Sequence, residues 1–239
     1  HNHARRVPRI RVFEVGRVYR RDPSVGDGPL EVRGVAQPIL VGAAAYGPAL
    51  EEQWGAPARP VDFYDVKADL EALAHPLALA YEAAPHPALH PGRSARVLAA
   101  KRPIGWLGEL HPRWQQEYGF AQPVVLFELE AEALLEGTVP RAREPSRFPP
   151  MVRDVALLVD AALPAQALLE AARQAASALV QEVRLFDLYS GPGIPEGKKS
   201  LAFRIVMQHT ERTLTDSEAD AERESVVALW RERFGAVPR

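Results

Sequence analysis

Several stretches of this chain carry residue types that do chemistry. The loop Gly191, Pro192, Gly193, Ile194, Pro195, Glu196, Gly197, Lys198, Lys199, Ser200 has the glycines and lysine of a phosphate cradle. Its spacing fails, because Pro192 stands where the cradle needs its first glycine and Lys199 takes the Ser/Thr slot. The residues that follow alternate as a strand, so no helix N-terminus is there to hold a phosphate. A hairpin connection is expected instead. His86 and His90 have the spacing of a helical metal pair, but Pro85, Pro87 and Pro91 forbid the helix. His111 precedes Pro112 and is expected to cap or pack. Asp62, Asp65, Asp69 and Glu71 lie on a helix-patterned stretch whose charged face is expected to be solvated. No Ser/His/Asp constellation is evident. The chain has no cysteine, which excludes thiolate zinc sites, iron–sulfur clusters, disulfides and cysteine nucleophiles.

A better set sits further along. In Val183, Arg184, Leu185, Phe186, Asp187, Leu188, Tyr189, Ser190, alternation puts Phe186 and Leu188 on one face and Asp187 and Tyr189 on the other. With Phe186 and Leu188 turned toward covering helices, the carboxylate and the phenol stand on an open face. On the next strand Arg204 and Gln208 share the more polar side and can join them. An aromatic ring for stacking, a carboxylate for base-edge donors and an arginine for phosphate or stacking suit unpaired RNA bases. Pattern alone still favours the plainer reading, a tyrosine and an aspartate on a solvated sheet.

These groups need elements to position them. Residues 152–159 read as a strand and 164–178 as a helix with Leu168, Ala171, Ala172, Ala175 and Leu179 on one face. Strands at 183–190 and 200–209 are joined by the Gly/Pro loop. Thr215, Asp216, Ser217 and Glu218 form a capping box that opens a second helix, which buries Val226, Trp230 and Phe234. Residues 236–239 add a short strand that Pro238 confines to an edge. The order β-α-β-β-α-β is the ferredoxin-like split, with both helices on one face of an antiparallel sheet.

Upstream, strands are expected at 10–20, 39–45, 77–83, 94–100, 104–110 and 124–130, with a bulge at Gly16. Phe63, Val66, Leu70 and Leu73 recur at helical spacing behind Asp62, a good N-cap. This is a sheet covered by a few helices. The opening residues enter a strand with no earlier helix to cover it, so the chain is expected to start inside a larger domain. The proline-rich stretch 140–150 reads as a stiff connector, dividing a first domain, 1–139, from a second, 151–239. With 239 residues, 47% of them hydrophobic, the chain has enough material for a core without staples. A net charge of −2 is too balanced to coat nucleic acid by bulk charge, which leaves a local RNA site. No run of about 18 apolar residues is present to span a membrane, and the first residues lack the apolar stretch of a signal peptide. A cytoplasmic location is expected.

Ordered motifs then make the chain recognisable. Phe148, Pro149, Pro150, Met151, Val152, Arg153, Asp154; Leu185, Phe186, Asp187, Leu188, Tyr189, Ser190, Gly191; Pro195, Glu196, Gly197, Lys198, Lys199, Ser200; and Arg212, Thr213, Leu214, Thr215, Asp216 follow one another at compatible spacing. Together they resemble the ferredoxin-fold anticodon-binding domain that closes the β subunit of bacterial phenylalanyl-tRNA synthetase. Arg11, Val12, Phe13, Glu14, Val15, Gly16 and Arg17, then Leu89, His90, Pro91, Gly92 and Arg93, then Ile104, Gly105, Trp106, Leu107, Gly108, Glu109 and Leu110 are similar to the same subunit's synthetase-like domain. The resemblance covers nearly the whole chain and only the C-terminal portion of that subunit.

The resemblance implies an α+β chain: a truncated class II synthetase-like antiparallel sheet domain followed by a ferredoxin-like domain. It implies an (αβ)₂ heterotetramer that charges tRNA-Phe with phenylalanine using ATP and Mg²⁺, partnered by the α subunit and a second β subunit. The first domain is then catalytically silent and serves assembly, and the editing and β-subunit magnesium sites lie outside this chain. No cofactor and no catalytic residue is carried over to this chain, which is expected to be inactive alone. In the family motif Phe-Asp-x-Tyr the acid and the tyrosine contact anticodon bases, which here are Asp187 and Tyr189. Arg204, Gln208 and Arg153 are added to that surface on geometric grounds. The rival readings are a stand-alone enzyme and a small-molecule-sensing regulatory module with a ferredoxin-like fold.

Overall fold

The computed structural model describes residue 5 and residues 7–135 and 145–239. The chain divides into two compact units, residues 1–140 and 141–239. Of the expected connector at 140–150, residues 140–144 lie outside the described residues. Ser146 and Phe148 are bonded to the second unit, the Ser146 hydroxyl donating to the His209 carbonyl at 2.8 Å and the Gln208 amide to the Phe148 carbonyl at 2.6 Å.

The first unit contains β1 (Ile10–Arg17), β2 (Arg20–Arg21), β3 (Val35–Ala36), β4 (Ile39–Tyr46), α1 (Phe63–Ala74), β5 (Leu79–Ala83), β6 (Leu89–Ala99), β7 (Arg102–Leu110), α2 (Pro112–Glu117), β8 (Val124–Glu130) and α3 (Ala131–Leu135). Its main sheet has six strands in the order β1-β4-β8-β7-β6-β5, every neighbouring pair antiparallel. The expected bulge at Gly16 is absent. Gly16 pairs with Leu40 in unbroken register, and the irregularities fall between β6 and β7. Gly105 on β7 is required by close approach, since a Cβ there would meet the Glu128 carbonyl at 2.0 Å.

α1 forms where its spacing placed it, with Val66 and Leu70 buried on the sheet-facing side. The Asp62 carboxylate accepts from the Tyr64 and Asp65 N–H groups, and the Asp65 carboxylate accepts from the Asp62 N–H, closing a capping box. Arg59 grips Asp65 through two bonds of 2.6 and 2.7 Å. Asp69 is bonded to Arg11 and Glu71 to Lys67. The acidic helix residues are thus committed to caps and ion pairs. The histidines do local work too: His86, His90 and His111 each accept a backbone N–H two residues on, and His111 thereby caps α2.

The second unit contains β9 (Met151–Asp160), α4 (Ala165–Ala175), β10 (Val180–Tyr189), β11 (Lys198–Met207), α5 (Asp216–Phe234) and β12 (Val237–Pro238). The sheet order is β10-β11-β9-β12, all antiparallel, which realises the expected β-α-β-β-α-β arrangement. Leu157 and Val159 of β9 and Leu201, Phe203, Ile205 and Met207 of β11 form one core with Leu168 and Ala172 of α4 and Val226 and Trp230 of α5. α4 is shorter than expected. It stops at Ala175, which is exposed, and Leu179 lies beyond its end. α5 opens on the Thr215/Glu218 capping box and closes on Gly235 at φ 63°, a left-handed position that favours glycine.

Trp230 is the keystone of this core. Its side chain is fully buried, its indole N–H donates to the Leu168 carbonyl at 2.9 Å, and its ring tilts against Phe203 with centroids 4.8 Å apart. Trp230→Ala is expected to cost about 3–5 kcal/mol, read as a lower urea midpoint for the second unit. The α5 cap predicts an acid sensitivity. Arg212 foremost, then the Thr215 N–H and hydroxyl, hold the Glu218 carboxyl far below its ordinary value of 4.5. A carboxyl lowered on folding adds stability above its unfolded value and loses it as pH falls toward the folded one. The second unit is therefore expected to weaken from about pH 5 downward, and Glu218→Gln to flatten that limb in melts followed by circular dichroism.

Candidate nucleic-acid interface

In the second unit α4 and α5 pack on one side of the sheet, the side to which Leu157, Leu201, Phe203, Ile205 and Met207 point. Residues directly opposite in an antiparallel pair share a side, so the pairing register assigns each residue of β10. Val183 stands opposite Ile205 and Leu185 opposite Phe203, both on the covered side. Unbroken alternation would send Asp187 and Tyr189 after them to the helix side. It does not, because the register shifts between Leu185 and Asp187 and leaves Phe186 as an extra residue. Beyond this bulge Asp187 faces Ala202, Leu188 faces Leu201, and Tyr189 faces Ser200. Asp187 and Tyr189 therefore stand on the open side, as the sequence suggested, but for a different reason.

Phe186 departs from its expected place. It is 51% exposed and lies on the open side, its ring centroid 5.2 Å from the Arg204 guanidinium. Leu188 keeps the side of Leu201 yet is itself 56% exposed, at the rim of the helical cover.

The polar groups of this face differ in how far they are committed. Asp187 is exposed and makes no hydrogen bond or ion pair with any described residue. The Tyr189 hydroxyl donates to the Pro192 carbonyl at 3.0 Å, and the Arg239 guanidinium lies 5.7 Å from its ring centroid. The phenol lies so close over Gly191 that a Cβ there would meet its oxygen at 2.5 Å. Nε and Nη2 of Arg204 donate to the two Asp154 oxygens at 2.8 and 2.7 Å. That pairing, helped by Arg184, holds the Asp154 carboxyl below the usual carboxylate range.

The structure does not bring all the expected residues together. Gln208 turns its amide onto the Phe148 carbonyl and braces the segment entering β9. Arg153 stands opposite Ile205, on the helix-covered side, and donates to Asp216 at 2.6 Å and Asp220 at 2.8 Å, fastening β9 to α5. Its parity with Leu157 and Val159 was the available signal. Phe186, Asp154 and Arg184 are open-face residues that alternation missed or passed over. The adjacent bulky pair Leu185-Phe186, which no strict two-residue period accommodates, was the trace of the bulge.

Comparison with known proteins adds a family. A model described as the phenylalanyl tRNA synthetase beta chain CLM domain matches residues 1–131, and one described as the ferredoxin-fold anticodon binding domain matches residues 146–239. The phenylalanine–tRNA ligase beta subunit of Dechloromonas aromatica is 48% identical over 98% of this chain and 29% of its own length. Those of Nitrosospira multiformis and Bordetella pertussis are 47% and 51% identical over 97% and 91% of this chain, and 28% of their own lengths. A solved pyrrolysyl tRNA synthetase from Desulfitobacterium hafniense covers 53% of this chain and 39% of its own at 16% identity and a TM-score of 0.32, a likeness too slight to argue from. The chain spans less than a third of the length of these curated relatives. With one model on the strand-rich first unit and the other on the unit whose open face carries Asp187 and Tyr189, the chain belongs to the phenylalanyl-tRNA synthetase beta chain family.

Proposed function

We propose that the second unit binds the unpaired anticodon loop of tRNA-Phe on its open sheet face, with Asp187, Tyr189 and Arg204 as the contacting residues. The observation that carries this reading is the Asp187 carboxylate, unbonded among the described residues and on the same side of the sheet as Phe186 and Tyr189, the side that no described helix of this unit covers. An ionised carboxylate accepts only, so it selects base edges that present N–H donors. Tyr189 supplies a stacking ring, over which Arg239 lies, so an incoming base displaces that guanidinium or stacks beyond it.

In the same reading the first unit is a catalytically silent relative of a class II synthetase domain and serves assembly. Its partners are an α subunit and a second β subunit in an (αβ)₂ ligase that charges tRNA with phenylalanine. ATP and Mg²⁺ belong to that whole enzyme. Among the described residues no group of three or more His, Asp or Glu is placed to hold a metal ion, and the α1 carboxylates are already paired.

Binding of the anticodon stem-loop is expected to be salt-dependent, each neutralised single-strand phosphate adding about 0.7 to the logarithmic slope. In fluorescence-anisotropy titrations Tyr189→Ala is expected to cost about 1–3 kcal/mol, and Tyr189→Phe much less. Unchanged affinity in Tyr189→Ala removes the ring from the site. Asp187→Asn is expected to blur discrimination between anticodons more than it lowers affinity. Undiminished discrimination means that the carboxylate reads no base.

A further inference from the structure

The open face holds a second arrangement that Asp187 and Tyr189 do not use. The Arg204 guanidinium is held at two places, by the two Asp154 oxygens at 2.8 and 2.7 Å and by the Phe186 ring, over which its carbon lies 5.2 Å from the centroid. Both partners reach solvent, Phe186 with 51% and the Arg204 side chain with 36% of its surface exposed. The Asp154 carboxylate offsets the arginine's charge and engages its edge rather than its face, so the pair is a poor anchor for phosphate and a good one for a π-face. Arginine planes and aromatic rings are the two side-chain surfaces on which unpaired bases stack. Phe186 and Tyr189 are three residues apart along β10, a separation of about 10 Å. One base cannot stack on both.

We propose that the Arg204–Phe186 stack is a second base subsite, which takes an unpaired nucleobase neighbouring the one met by Asp187 and Tyr189. Asp154 is its positioning residue. This rests on the anticodon-loop reading above and adds to it a second base, a separate platform and the residue that levels it.

The test measures the 239-residue chain against tRNA-Phe anticodon stem-loops. The loops are either intact, scrambled in the anticodon, or abasic at one loop position at a time, and each is titrated at several salt concentrations. Arg204→Lys keeps the charge and loses the plane, and Phe186→Leu keeps apolar bulk and loses the ring. Each is expected to weaken binding of the intact loop roughly tenfold with an unchanged salt slope. In both variants one abasic position that weakens the wild type should cost nothing further. That position should differ from the one to which Tyr189→Ala becomes indifferent. Asp154→Asn should weaken binding several-fold at the same slope, since the guanidinium is then free to turn.

Wild-type affinity in Arg204→Lys and Phe186→Leu, with Tyr189→Ala still impaired, overturns the second subsite and leaves the anticodon reading standing on Asp187 and Tyr189. Tighter binding by Asp154→Asn with a slope steeper by about 0.7 makes Arg204 a phosphate ligand and also overturns it. Equal binding of matched and scrambled loops by the wild type and Tyr189→Ala sinks the anticodon reading, and the subsite with it.

Discussion

Side chains on a strand alternate, so one inserted residue reverses the facing of everything after it. In β10 that residue is Phe186, placed between Leu185, which packs against the helices, and Asp187, which does not. A carboxylate following the parity of Val183 and Leu185 would have stood opposite Leu201 on the helix side, the place that the apolar Leu188 takes instead at the rim of the cover. The bulge lets one strand build the core with its first half and present polar groups with its second. The open face depends on that change of phase.

The neighbouring pair Arg153 and Asp154 shows the same economy without a bulge. Consecutive residues of β9 point to opposite sides, so Arg153 fastens α5 through Asp216 and Asp220 while Asp154 orders Arg204 on the far surface. Surface ion pairs of this kind contribute little stability one at a time. Their worth here is geometric, because each limits where a long, mobile side chain can sit. Arg184 stands opposite Arg204, and Asp154 across the sheet relieves what would otherwise be two facing like charges.

Much of this was legible in the sequence. α1 could be placed from Asp62 and the spacing of Val66 and Leu70, and α5 from Thr215 and Glu218, because caps and periodicity are local signals. The order of elements in the second unit followed from the same signals. The end of α4 did not, since helical spacing through Ala175 and Leu179 continues in sequence after the backbone has left the helix. Gly16 suggested a bulge because glycine is common there, but the register across β1 and β4 has no need of one. Asp187 and Tyr189 were found on the open face by an alternation that placed Phe186 wrongly, since phase counted from residue 186 onward takes no account of where Val183 points. Gln208 is placed on that face by its alternation with Arg204, and Arg153 on geometric grounds. The parity of Arg153 with Leu157 and Val159 already pointed to the helix side, where the acids of α5 hold it, whereas only a tertiary partner, the Phe148 carbonyl, shows that Gln208 is used elsewhere.

β10 is also an outermost strand of its sheet, and its far side offers N–H and C=O groups to any chain that can match their spacing. The extra residue at Phe186 breaks that spacing midway. At the opposite border β12 is two residues long and contains Pro238, which has no N–H to give. Both borders are thus poor templates for a foreign strand. Both edges thereby discourage the edge-to-edge pairing that an uncovered sheet would otherwise invite.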